Sequence, residues 1–183
     1  RRQRQMCIRD RTYTININRQ AASANNAGGN NNQNNNNQNN TDVNITSGKY
    51  SIGTYITGIE PGTGAADFVK NIAVSASGTV KLLTSSGSEN SGKVATGNKV
   101  AVYDASGNLK KTYDIVVYGD INGDGAVNAL DMIKLNRHIL GKGTLTGSYL
   151  EAADANRKGD GGNALDMIIM NRHILGKSKI SQN

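Results

Sequence analysis

The chain has 183 residues, a formal net charge of +7 and a hydrophobic content of 36%, which is low for one large core. A modest fold or a mosaic of small domains is expected. No run approaches the roughly 20 apolar residues of a membrane span, and a single cysteine leaves no partner for a disulfide and no cluster for zinc.

RRQRQMCIRD (Arg1 to Asp10), continued by Arg11, reads codon by codon as the translation of a tagmentation sequencing adapter, so residues 1–11 are taken as an assembly artefact and set aside. A basic arm for nucleic acid would have no reason to match a reagent, and no nucleic-acid partner is expected. The set-aside residues hold Cys7, five Arg and one Asp, which is +4 of the +7 and leaves +3 for residues 12–183. The basic balance of the chain is therefore largely an artefact.

TYTININ (Thr12 to Asn18) alternates polar and apolar residues like a strand and is expected to be the remnant of an upstream domain, the chain being the C-terminal part of something longer. Residues 19–45 follow as an Asn/Gln/Gly-rich linker, with almost no apolar side chains to offset the entropy of ordering. An aggregating Asn/Gln tract is the sharper alternative, but the interleaved aromatics it would favour are missing.

Residues 46–118 read as a small all-β sandwich-like module. Short apolar runs (KYSI, TYITGI, NIAVSA, TVKLLT, KVAVYD, TYDIVVYG) are separated by Gly, Ser and Asn, and the last two are joined by the turn ASGN. GAADFVKNI (Gly64 to Ile72) has the look of one short helix after Pro61, with Phe68 and Ile72 on a common face. No catalytic constellation is discernible here, and a binding or spacer role is expected rather than chemistry.

The remainder contains a duplication. NALDMIKLNRHILGK (Asn128 to Lys142) and NALDMIIMNRHILGK (Asn163 to Lys177) agree at thirteen of fifteen positions at an offset of 35. Each repeat sets a Gly-rich acidic loop before a helix stopped by Gly141 or Gly176. The apolar stripes Leu130, Ile133, Leu140 and Leu165, Ile168, Leu175 are expected to be core. His138 and His173 sit at equivalent positions, and a packing or partner contact is favoured over a metal or catalytic role.

In DINGDGAVNALD (Asp120 to Asp131), oxygen-bearing side chains stand at loop positions 1, 3, 5, 9 and 12: Asp120, Asn122, Asp124, Asn128 and Asp131. Gly125 at position 6 allows the sharp turn, and position 7, Ala126, offers its carbonyl. A hard cation collects oxygens in this pattern, which points to a Ca²⁺ loop. A β-turn at Asn122–Gly123 with solvated acids explains neither Asp131 nor the repeat. An ordinary EF-hand would carry Glu at position 12 and a helix entering the loop, whereas this loop ends in Asp131 and follows the strand-like DIVVYG.

That combination resembles the type I dockerin domain, through GDINGDGAVNALDMIKLNRHILG and AADANRKGDGGNALDMIIMNRHILG, over residues 119–183. The preceding β-module looks like the small modules that often precede dockerins in surface or secreted proteins of anaerobic bacteria. The resemblance implies an all-α domain of two Ca²⁺-loop-helix repeats that is not catalytic. It would bind a cohesin domain on a scaffoldin or surface protein and so attach its parent to a cellulosome-like assembly, the parent commonly being a secreted polysaccharide hydrolase. It also implies cohesin contacts at Ala129, Leu130, Asn136 and Arg137 and again at Ala164, Leu165, Asn171 and Arg172, with a pseudo-two-fold that permits docking in two orientations.

The second loop, DANRKGDGGNALD (Asp154 to Asp166), has thirteen residues where the first has twelve. Aligned on Gly159 as the turning glycine, its position 5 is Lys158, a cation in place of an acid. A second register puts Asp160 and Gly161 at positions 5 and 6. In both, Asp154, Asn156, Asn163 and Asp166 remain, and Asp160 is available to reach inward. Two Ca²⁺ sites are expected, the second weaker. From a different class, a calcium-stabilised structural or adhesin module that meets no cohesin is the alternative function.

Overall fold

The structure, a computed structural model, describes residues 43–183. The adapter-like residues 1–11, the strand expected at 12–18 and the linker as far as residue 42 lie outside the described residues.

The apolar runs form seven strands and a helix: β1 (Ile45–Thr46), β2 (Ser51–Ile52), β3 (Tyr55–Thr57), α1 (Ala65–Lys70), β4 (Ala73–Val74), β5 (Thr79–Leu83), β6 (Lys99–Tyr103) and β7 (Leu109–Ile115). β1 and β4 make a two-stranded sheet, and the other five lie in the order β2-β3-β7-β6-β5. The ASGN turn makes a hairpin of β6 and β7 because the Asp104 carboxylate accepts the N–H groups of Ser106 and Asn108, both at 2.9 Å. Interior strand β6 buries Val100, Ala101 and Val102 in succession, while central strand β7 buries Tyr113 and Ile115 alternately. With Ile56, Ile59, Phe68, Val94 and Val117 most of these make the first core.

The short helix expected after Pro61 is present as α1 and carries Phe68 into the core, and β3 pairs with β7 in parallel. One expected boundary needs correction. Val43 and Ile45, assigned to the linker, are buried, and β1 pairs with β4. Two apolar residues are hidden in a polar window until the sheet that covers them is present.

Three helices follow: α2 (Ala129–Ile139), α3 (Gly147–Ala153) and α4 (Ala164–Ile174). They surround a second core that includes Val116, Tyr118, Ile121, Leu135, Ala153, Met170 and Ile180. The extended run Val116–Tyr118 alternates between the two cores, Val117 entering the first and its neighbours the second. α3 was not anticipated. It leads into the second loop, Asp154 being its C-cap, whereas the first loop is entered from an extended strand.

Local chemistry sets the ends of α2 and α4. Asn128 and Asn163 cap the N-termini, each in a reciprocal box with the Asp three residues on. At the C-termini, Gly141 (φ 65°) and Gly176 (φ 66°) adopt the left-handed conformation, and the N–H groups of Lys142 and Lys177 reach back to the carbonyls of Arg137 and Arg172, both at 2.8 Å.

The apolar stripes are not core. Leu130, Ile133, Leu165 and Ile168 are 58%, 55%, 47% and 56% exposed, and Leu140 and Leu175 are exposed as well. The caps set the helix phase: Asp131 and Asp166 are wholly buried, so Leu135 and Met170, four residues further, face inward and the stripes face out. His138 and His173 tie down the segments after their helices, each Nδ1 accepting a backbone N–H, from Leu145 at 3.3 Å and from Ile180 at 3.1 Å.

Candidate metal centre

In the first loop the two end carboxylates are buried and held by backbone amides. Asp120 accepts N–H groups from Gly123 (2.9 Å) and Asp124 (3.0 Å) at Oδ1, and from Gly125 (3.1 Å) and Thr96 (2.9 Å) at Oδ2. Asp131 accepts from Ile121 and Asn122 at Oδ1, both at 2.8 Å, and from Asn128 at Oδ2 at 2.9 Å. One side chain thus binds the loop's start to its end.

Asp124 lies nearer the surface, accepting from Ala126 N–H at 2.9 Å and from the Asn122 side-chain amide at 2.7 Å, while Asn128 Oδ1 accepts the N–H of Leu130. Its pKa is lowered: a burial effect that acts upward is outweighed by the amides of Asn122, Ala126 and Asn128, with Lys93 nearby. The buried acids shift the other way. Burial, with the charge of Asp131 adding, pushes Asp120 up to about 6 against the opposing N–H groups of Thr96, Gly125 and Gly123. Burial likewise raises Asp131, with Asp124 adding, against its three backbone donors. Burial makes the ionised form of both acids costly, and a cation bound beside them would stabilise it.

The second loop repeats the backbone pattern and resolves its register. The N–H of Lys158 goes to Asp154 (3.2 Å) and Asn156 (2.9 Å), and that of Gly159 goes to Asp154 (2.6 Å). These are the bonds that Asp124 and Gly125 make in the first loop, so Gly159 (φ 73°) stands where Gly125 (φ 77°) stands. The register with Gly161 as the turning glycine is not the one adopted, and the extra residue falls between Gly159 and Asn163. Lys158 is exposed and serves through its backbone, as expected of an ammonium group that cannot ligate a cation. Arg157 takes the left-handed conformation (φ 55°) that glycine holds at position 4 of the first loop.

Asp160 follows the turn and meets the other acids. One carboxylate oxygen from each of Asp154, Asp160 and Asp166 lies within 4.8 Å of the others, and among the described residues no other trio of His, Cys, Asp or Glu comes as close. Asp166 accepts from Asn156 and Asn163 N–H, both at 2.9 Å, while Asn163 Oδ1 accepts from Leu165 at 2.7 Å. Asn156 Nδ2 is buried with no hydrogen-bond partner. In the first loop Asp120, Asp124 and Asp131 are not gathered to the same closeness, Asp124 being turned onto neighbouring amides.

The eight expected contact residues, Ala129, Leu130, Asn136, Arg137, Ala164, Leu165, Asn171 and Arg172, are all exposed on α2 and α4. Each group lies on a helix whose first turn caps one of the acidic loops.

Residues 118–175 match the family model of the dockerin type I domain. This segment is a type I dockerin domain. The match takes in both loops and all three helices of the second half. No curated protein and no solved structure is significantly similar to the chain.

Dockerin domains are calcium-dependent modules that bind cohesin. The residues of this dockerin fit the ion: the donors are oxygens, three carboxylates converge in the second loop, and burial in the first makes the ionised acids costly even with their backbone donors. Asp120, Asn122, Asp124 and Asp131 would hold it in the first loop, and Asp154, Asn156, Asp160 and Asp166 in the second. Bound there, calcium would supply positive charge to offset these carboxylates. Among the described residues no helix is long and apolar enough to cross a membrane.

Proposed function

We propose that the chain is a non-catalytic assembly module. Its dockerin, with calcium in both loops and the second site weaker, binds a cohesin domain of a scaffoldin or surface protein. It thereby anchors an extracellular parent protein, a polysaccharide-degrading enzyme being the parent the family context favours.

The observation that carries this reading is the outward stripe Leu130, Ile133, Leu140 and its copy Leu165, Ile168, Leu175. Large aliphatic side chains left in water twice, at identical positions, mark a recognition surface. Arg137 and Arg172 give each stripe a polar rim of the kind found around apolar contact centres. The weaker second site follows from Lys158, which adds positive charge to that loop, and from the left-handed Arg157.

The test is capture of the chain by immobilised cohesins in calcium and again in chelator, with Leu130→Glu/Leu165→Glu alongside. Capture that needs calcium and is lost in the double variant is expected. Calcium-dependent folding without capture by any cohesin tested would favour a structural cap instead.

A further inference from the structure

One ligand candidate of the first loop is held from outside the dockerin. Thr96 lies in the turn between β5 and β6, 24 positions before Asp120, and donates its N–H to Asp120 Oδ2 at 2.9 Å. Both residues are buried. The Thr96 hydroxyl donates to the Val117 carbonyl and accepts the Val117 N–H, both at 3.1 Å, bracing the strand that delivers Asp120.

The turn is itself rigidly held. Ala95 N–H goes to Asn98 Oδ1 at 3.1 Å, and Gly97 N–H goes to the Ile115 carbonyl at 3.0 Å. Contact with the loop continues beyond Thr96. Gly62 N–H donates to the Gly125 carbonyl at 2.8 Å, and a Cβ at Gly125 would fall 2.8 Å from the Val94 carbonyl oxygen. The second loop lacks this support: among the described residues, Asp154 accepts amides only from Lys158 and Gly159 of its own loop.

We infer that Thr96 is a positioning residue for the first calcium loop, and that the sheet half and this loop are coupled through calcium while the second loop is not. The inference rests on calcium binding in the first loop. A carboxylate fixed by a rigid outer donor is pre-organised for its ion, and loss of such a donor typically weakens a metal site by about 10- to 100-fold. Coupling is reciprocal, so calcium in the first loop must steady the Thr96 turn in return.

The test is a calcium chloride titration of the full chain followed by NMR, the amide signals of Gly125 and Gly159 reporting the two loops separately. Thr96→Pro removes the donated N–H, and Thr96→Ser keeps every bond. The proline variant is expected to weaken the first site by about 10- to 100-fold and leave the second unchanged, with serine at wild-type affinity.

Should the proline variant not fold, amide hydrogen exchange of the wild type decides. Thr96 is expected to exchange about tenfold more slowly with calcium than with chelator, while Val80 on β5 is unaffected. Equal exchange at Thr96 with the first loop loaded, or an unchanged first site in the proline variant, overturns the coupling and leaves the calcium reading standing. Silence of Gly125 toward calcium in the wild type overturns the calcium reading, and this inference with it.

Discussion

The side-chain amide of Gln182 pairs with both backbone groups of Tyr118, accepting its N–H at 2.8 Å and donating to its carbonyl at 3.0 Å across 64 positions of chain. Gln182 is buried, and Ile180 beside it enters the second core. The segment after α4 is thereby closed onto the beginning of the dockerin, where the Tyr118 hydroxyl also reaches Glu151 at 3.0 Å.

Gln182→Ala would leave two buried backbone groups unpaired, at a cost of about 1–3 kcal/mol. Thermal unfolding in saturating calcium is expected to show a lowered midpoint. An unchanged midpoint would mean that the pairing contributes nothing.

Asp160 joins Asp154 and Asp166 in a loop where Lys158 offers no carboxylate. Asp160→Asn is expected to weaken the second site by on the order of 1 kcal/mol, about tenfold, and Lys158→Asp to tighten it, with the first site unmoved by either. Calorimetric titration checks both. Because the two residues are exposed, folding should survive. Loss of affinity in the first loop instead would contradict the register seen here.

Under the proposed function, the matched faces of α2 and α4 would let either one meet cohesin. Arg137→Ala and Arg172→Ala should each retain most of the affinity, and the double variant should lose about 2 kcal/mol or more, the scale of an interface hot spot. Surface plasmon resonance against one cohesin distinguishes the cases. A single variant as weak as the double would show that only one face is used.

Asp104 gives the sheet half its own acid sensitivity. Its pKa is held at about 2, chiefly by the Asn108 N–H, then by the Asn108 side chain and by Lys110. A carboxyl lowered in the folded state adds stability above its unfolded value near 4, and that contribution fades as pH falls through about 2. Asp104→Asn keeps an acceptor for the turn but cannot titrate. Its unfolding curve is expected to be flatter than wild type between about pH 4 and 2, followed by tyrosine fluorescence. Parallel curves would assign the acid response elsewhere.

Much of the candidate site is legible in the sequence because it is local. Capping by Asn128 and Asp131, the turning glycines Gly125 and Gly159 and the helix stops at Gly141 and Gly176 all depend on residues within a few positions of each other. Such bonds form wherever those residues occur in that order, and the repeat states them twice. The short helix around Phe68 and the ASGN hairpin are legible for the same reason. The helix α3 was missed because its buried side chains, Ser148, Ala152 and Ala153, are small and make no apolar stripe.

The sequence by itself determined the duplication, the oxygen-rich loops and the boundaries of α2 and α4, since backbone groups there find partners within one or two turns of chain. Only the tertiary structure decided that Leu130 and Ile133 face water, that Asp160 joins Asp154 and Asp166, that Thr96 reaches Asp120 and that Gln182 clasps Tyr118. Each of these depends on which surfaces are already covered when distant segments meet. Packing of the two cores settles that question, and the spacing of residues along the chain does not carry it.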